Sequence, residues 1–218
     1  MKRLTIMAVF IMTAKVMCAQ GWAGIGIGTH QSNVYYENSN GDQDKSIKGV
    51  PASYVSLYYM HDFVSGGKQK KLYDMPDYLL VVEMGYKKAE TRDSDSQTLS
   101  KWMMDYFSSA LGVRHIISTG KRVAPFVGVA FSMDMLLSGV QQIGFEQYDL
   151  TEELEKQNFG IVGEGGVKYS INHDVLGTLR ISYMQGLSNL EKSSQLSRLS
   201  GLKVGVGIHF LINNKKSR

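Results

Sequence analysis

The sequence predicts an all-β fold, an eight-stranded antiparallel up-and-down transmembrane β-barrel, on three observations. The chain has 23 Gly, 12 Tyr and only 3 Pro in 218 residues, which favours extended backbones in close approach over helices, where Gly is costly. Apolar residues recur at every second position in segments of about the length a tilted strand needs to cross a bilayer. The connections alternate between tight turns and long polar stretches, the pattern of outer-membrane barrels. At 43% hydrophobic and 20% charged, the chain reads neither as disordered nor as a helical membrane protein.

Residues 1–19 stand apart from this pattern. Lys2 and Arg3 precede the apolar run Leu4 to Ala14, which is too short to span a bilayer, and Val16-Met17-Cys18-Ala19 supplies a small-residue exit. We read a signal peptide over 1–19 and a single barrel domain over 20–218, with cleavage after Ala19. Lys15-Val16-Met17 lacks the Leu and small residues of a lipoprotein site, so Cys18 is not expected to carry lipid. Loss of Lys2, Arg3 and Lys15 lowers the net charge from +4 to +1. No basic stripe interleaved with aromatics remains, which removes the electrostatic case for nucleic-acid binding.

Trp22 to His30 sets Ala23, Ile25 and Ile27 against Gly24, Gly26 and Gly28. Those glycines recur within a strand, without the spacing or following helix of a dinucleotide loop, and read as small lumen-facing residues. Ala52 to Phe63 is a noisier strand marked by Tyr54, Tyr58 and Tyr59. From Tyr78, the row Leu80, Val82, Met84 and Tyr86 opposes Glu83, Gly85 and Lys87. Ser100 to Ile117 carries Phe107, Leu111, Val113, His115 and Ile117 outward, with Ala110, Gly112 and Arg114 inward; it exceeds what a bilayer needs, which predicts a bulge or a projecting end.

Pro125 to Met135 opposes Val127, Val129, Phe131 and Met133 to Gly128, Ala130, Ser132 and Asp134. Phe159 to Ile171 opposes Phe159, Ile161, Val167 and Tyr169 to Gly160, Glu164, Gly166 and Lys168. Thr178 to Leu187 opposes Leu179, Ile181 and Tyr183 to Arg180, Ser182 and Gly186. The last strand is the clearest: Leu202, Val204, Val206, Ile208, Phe210 and Ile212 share one face and Lys203, Gly205, Gly207 and His209 the other. On that assignment Val206→Arg meets hydrocarbon, whereas Gly205→Ser meets a tolerant polar interior.

Ser118 to Arg122 and Asn172-His173-Asp174 are expected as tight turns. Residues 31–50, 88–98, 136–157 and 188–200 are expected as long outward-facing polar loops, the third holding a short helix capped at Asp149 and carrying Leu150 and Leu154. Residues 64–77 are long for an inner turn.

Several of these stretches resemble the PorT-like outer-membrane β-barrel family of Bacteroidota, small barrels built like OmpX and the OmpA membrane domain. The resemblance lies in Trp102-Met103-Met104-Asp105-Tyr106 leading to Leu111-Gly112-Val113, Ala124-Pro125-Phe126-Val127-Gly128, and Phe159 through Tyr169. It continues in Arg180-Ile181-Ser182-Tyr183 with Gly186-Leu187-Ser188-Asn189, and in the closing Leu202 to Phe210. It spans most of 20–218 and implies an outer-membrane address and an assembly-machinery client, but no established reaction. One departure is that Phe210 is followed by eight residues ending Lys215-Lys216-Ser217-Arg218, so an aromatic assembly signal would be internal.

Eight charges are expected in the lumen: Glu83, Asp134 and Glu164 with Lys87, Arg114, Lys168, Arg180 and Lys203. An eight-stranded barrel is only wide enough for side chains to fill, so these should pair as an ion network rather than line a path. Five histidines without short spacing or cysteine neighbours imply no metal site and no cofactor. His30 with Ser32, and Asp134 at a similar level, is the one constellation resembling a rim hydrolase or acyltransferase; the reading preferred is no catalytic centre. The expected partners are outer-membrane lipid, the barrel assembly machinery, and envelope or extracellular proteins met through the loops.

Overall fold

The computed structural model describes residues 21–37, 43–62, 78–93, 100–117, 121–192 and 196–212. The proposed signal peptide, its cleavage point and the 64–77 connection lie outside these residues. All ten elements are strands: β1 (Gly21–Glu37), β2 (Gln43–Val50), β3 (Ala52–Asp62), β4 (Tyr78–Asp93), β5 (Ser100–Ile116), β6 (Val123–Ile143), β7 (Glu146–Asp149), β8 (Gln157–Ser170), β9 (Val175–Gly186) and β10 (Leu196–Ile212).

β2 and β3 are one stave interrupted at Pro51, because both pair with β1 and with β4. Between the pairs His30↔Ala52 and Val34↔Ile47 that stave holds one residue more than β1, a bulge at the proline. Gln31 Nε2 donates to the Gly49 carbonyl (3.0 Å) and the Gly49 amide donates to Asn33 Oδ1 (2.9 Å), so side chains take over where the ladder breaks.

The staves β1, β2/β3, β4, β5, β6, β8, β9 and β10 pair antiparallel in sequence, and β10 pairs back onto β1 from Gly21↔Ile212 to Glu37↔Leu196. The sheet is therefore an eight-stave closed barrel with no long free edge. Following cross-strand partners once round, from Gly21 through His61, Leu80, Val113, Val129, Gly163, Tyr183 and Leu202, returns to β1 at Gln31. That ten-residue stagger over eight staves corresponds to a strand tilt of about 40°.

One end of the barrel, the terminal end, holds both chain ends of the sheet and the Asn172-His173-Asp174 turn, closed by Asn172 Oδ1 accepting from the amides of Asp174 (2.9 Å) and Val175 (2.8 Å). At the other, extended end most of the described residues in three of the four expected loops, 31–50, 88–98 and 136–157, are strand. β1 runs to Glu37 and β4 to Asp93, and β6 continues past a bulge between Tyr106↔Leu136 and Asp105↔Ser138 to Ile143. The bulge expected in the Ser100–Ile117 strand falls instead on its partner β6, where Leu137 is the extra residue.

Nor does residues 136–157 contain the expected helix. β6 and β7 form a hairpin whose two-residue tip is Gly144-Phe145; Gly144 has φ 61°, as the first position of a type II′ turn requires. Beyond β7 the chain makes a single turn, with the amides of Glu153 and Leu154 both donating to the Leu150 carbonyl. The Thr151 amide donates to Asp149 Oδ1 (2.8 Å), and these bonds from Thr151 hold the Asp149 carboxyl below its ordinary pKa. Leu150 and Leu154 are buried rather than carried on a helix.

Candidate functional site

Alternation sends one row of each strand to the lumen, and the large polar residues of that row meet in the middle of the barrel. Arg180, on β9, is the hub. Its Nη1 donates to Glu83 Oε2 (2.8 Å) and Glu164 Oε2 (3.3 Å), and its Nη2 donates to Glu83 Oε1 (3.1 Å) and the Tyr58 hydroxyl. Arg114 grips Glu164 with two parallel bonds, Nε to Oε1 (2.8 Å) and Nη2 to Oε2 (3.1 Å). Lys203 Nζ lies 3.7 Å from Glu83 Oε1. A second layer, nearer the extended end, joins Lys87 Nζ to Asp134 Oδ2 (2.5 Å) while Ser108 donates to Asp134 Oδ1 (2.6 Å).

Seven of the eight expected lumenal charges thus join these two layers. Lys168, on β8, is buried at 1% exposure closer to the terminal end, opposite Ala124. Aromatic rings take up part of the cationic excess: Arg114 lies 4.2 Å from the Phe126 centroid, Arg180 5.0 Å from Tyr58, Lys203 5.4 Å from Tyr54 and Lys87 5.5 Å from Tyr106. None of these ring partners was singled out as lumenal in the sequence. Tyr54, Ser56, Tyr58 and Met60 share the inward row of β3, and the signal for it lay opposite, in the small residues of β1.

Those small residues are sockets. A Cβ on Gly26 would stand 2.6 Å from Tyr58 Cε2, and one on Gly205 would overlap the Tyr54 hydroxyl and come 2.7 Å from the Ile27 carbonyl. The inward position 205 is therefore filled space rather than tolerant lumen, which corrects the expectation for Gly205→Ser.

Two apolar clusters close the lumen on either side of the ionic layers. At the terminal end Trp22, Met60, Leu79, Ile116, Phe126 and Leu176 pack together. At the extended end Val34, Ile47, Met104, Tyr106, Leu136, Leu154, Leu190 and Leu199 form the larger cluster, joined by Leu150 from the turn after β7. An ion crossing the barrel would have to pass both.

His30 and Ser32 do meet: the Ser32 hydroxyl is within hydrogen-bond distance of both ring nitrogens, 3.2 Å from Nδ1 and 3.1 Å from Nε2. His30 is 1% exposed and Ser32 0%, and both Asp134 oxygens are engaged by Lys87 and Ser108. Among the described residues no group of three or more His, Cys, Asp or Glu is placed to hold a metal ion.

The outward row forms a lipid-facing band. Ile27, Leu57, Leu111, Val129, Leu179 and Val206 are 54–64% exposed, and they circle the barrel at mid-height. Tyr59, Tyr78, Tyr169 and Phe210 flank the band at the terminal end, and Tyr86, Phe107, Phe159 and Tyr183 at the other.

No family model matches the chain, and no curated protein matches it. Solved structures are similar. Neisserial surface protein A shares 14% identity over 87% of this chain and 96% of its own, with a TM-score of 0.50. The outer membrane protein OprG of Pseudomonas aeruginosa shares 12% over 88% and 96%, with a TM-score of 0.48. Ail, the attachment invasion locus protein of Yersinia pestis, shares 16% over 87% and 99%, with a TM-score of 0.40. At such identity the first likeness is one of fold: the chain has the architecture of the small eight-stranded outer-membrane β-barrels.

Proposed function

We propose that this protein is exported by its signal peptide to the outer membrane and acts there as a closed barrel, with a structural or interaction role carried by its extended end and no catalytic centre. The observation that carries this reading is the filled lumen: among the described residues, two ionic layers are stacked between two apolar clusters along the barrel axis. What remains available to a partner is the projecting rim, where Phe145 at the β6–β7 tip is fully exposed. In planar bilayers the purified barrel should give no stepwise conductance; steady single-channel openings would overturn the closed reading. A photo-crosslinking residue at Phe145 should capture neighbours in cells, and capture only from His173 in the terminal-end turn would place the interaction on the wrong side.

The resemblance to PorT-like barrels supports a second reading, an accessory barrel for secretion or envelope assembly. It differs in the partner: crosslinks to secretion or assembly components would favour it over an external ligand. A lipid-modifying enzyme at the rim has the least support, because the His30–Ser32 pair is sealed beneath the extended-end cluster.

A further inference from the structure

Above the lipid-facing band, the outward wall of β2, β4 and β5 carries a row of like charges. Lys48 pairs across the ladder with Arg92, and Arg92 with Lys101, so three cations stand side by side on neighbouring strands, about 5 Å apart from strand to strand. Like charges directly opposite destabilise a sheet. Glu90, two residues from Arg92 on the same face, offsets only part of this: it lies 2.9 Å from Lys101 and 3.5 Å from Arg92, and Lys48 has no ion-pair partner among the described residues. The Arg92 side chain is 55% exposed.

The position of the row says what neutralises it. On the same three staves, toward the terminal end and past the pairs Glu90↔Met103 and Lys88↔Asp105, stands the apolar row Val55, Tyr86 and Phe107, which are cross-strand partners of one another. Tyr86 and Phe107 belong to the aromatic flank of the band, where the hydrocarbon ends and the headgroups begin. Lysine and arginine stems lie along such a wall and hold their charges at headgroup level. The rim beyond the neighbouring strand β6 does not share this chemistry: β7 and the turn after it are rich in exposed acids, among them Glu146, Glu152 and Glu153.

We propose that Lys48, Arg92 and Lys101 form a binding site for the phosphate groups of a lipid in the membrane leaflet at the extended end. The inference rests on the outer-membrane reading above. Three adjacent cations beyond the aromatic flank, their stems free to reach back toward the membrane surface, match a lipid bearing more than one phosphate better than a single soluble anion.

The test uses the full-length protein in phosphatidylcholine nanodiscs doped with lipid A, or with lipid A stripped of its phosphates, and counts retained lipid by native mass spectrometry. Neutralising one basic residue should weaken retention of the phosphorylated lipid about fivefold, as each cation near a charged surface contributes about that factor. Arg92→Gln reads this alone and Lys48→Gln/Arg92→Gln/Lys101→Gln reads the whole row. Glu90→Gln should act in the opposite direction and tighten retention, which a merely structural role for the row would not produce. Lys156→Gln with Lys192→Gln, on the acidic side, should change nothing. Unchanged retention in the triple variant overturns the proposal, as does an equal loss of the dephosphorylated lipid. Displacement of the phosphorylated lipid by millimolar inorganic phosphate also overturns it, by making the row a soluble-anion site. Fractionation of cells separates the premise from the site: wild-type protein absent from the outer membrane would sink the outer-membrane reading whatever the row binds.

Discussion

The same strands obey opposite rules in the lipid band and at the extended end. Along β4, Met84 and Tyr86 face outward and Glu83 and Lys87 inward; a few residues on, Lys88, Glu90 and Arg92 face outward and Ala89 packs inward. β1 does likewise, with Ile25 and Ile27 outside the barrel in the band and Val34 in the apolar cluster inside it near the rim. The backbone pattern is continuous and only the solvent has changed. Where hydrocarbon surrounds the wall, apolar side chains are stable outside and the polar ones must satisfy each other within. Where water surrounds it, the hydrophobic effect turns the apolar row inward as in any soluble sheet. The inversion also shows why the chain needs two kinds of core.

The largest effect should come from the ionic core of the band. Arg180→Ala leaves Glu83 and Glu164 short of their shared partner in a buried site, and should cost about 3–5 kcal/mol in the urea unfolding midpoint measured in lipid. Outside the barrel the two regions should respond oppositely to one change. Val206→Arg places a charge in hydrocarbon and should cost about 2–4 kcal/mol, whereas Val140→Arg, outward on β6 above the band and paired with Asp149, should stay within about 0.5 kcal/mol. Equal costs at the two sites would show that the band has been placed at the wrong height.

Within the extended end, Leu154→Ala removes a 1%-exposed anchor of the apolar cluster. Because it sits in a turn that can partly relax, about 2–3 kcal/mol is expected, in the lower part of the range for such truncations. Thermal unfolding followed by tryptophan fluorescence checks it, and no change would mean that the cluster is not a core. Gly205→Ser should cost about 1–3 kcal/mol by forcing Tyr54 off its socket. Pairing it with Tyr54→Phe, which removes the obstructing hydroxyl, should recover part of that loss. The smallest change is expected when Lys87→Met and Asp134→Leu are combined. Replacing a fully buried ion pair by apolar groups should leave stability within about 1 kcal/mol of wild type, although Lys87→Met alone should be strongly destabilising. A double variant as unstable as the single one would show that Ser108, which loses its acceptor only when Asp134 is replaced, governs the layer.

By itself the sequence determined the number of staves, the outward and inward rows across the band, and the identity of the charges inside, because lipid on one side and a narrow lumen on the other give every second residue a distinct environment. Glu83, Arg114, Glu164 and Arg180 were legible as lumenal for that reason. Only the tertiary structure decided which of them pair, since Arg180 and Glu83 are 97 residues apart and meet only through the stagger of the closed barrel. It also decided that most of the described residues within 31–50, 88–98 and 136–157 are strand. Beyond the band the apolar row changes faces and Pro51 and Leu137 introduce bulges, so the alternation loses its phase and reads as loop. The basic row on β2, β4 and β5 was invisible for a related reason: Lys48, Arg92 and Lys101 are scattered in sequence, and cross-strand register alone makes them neighbours.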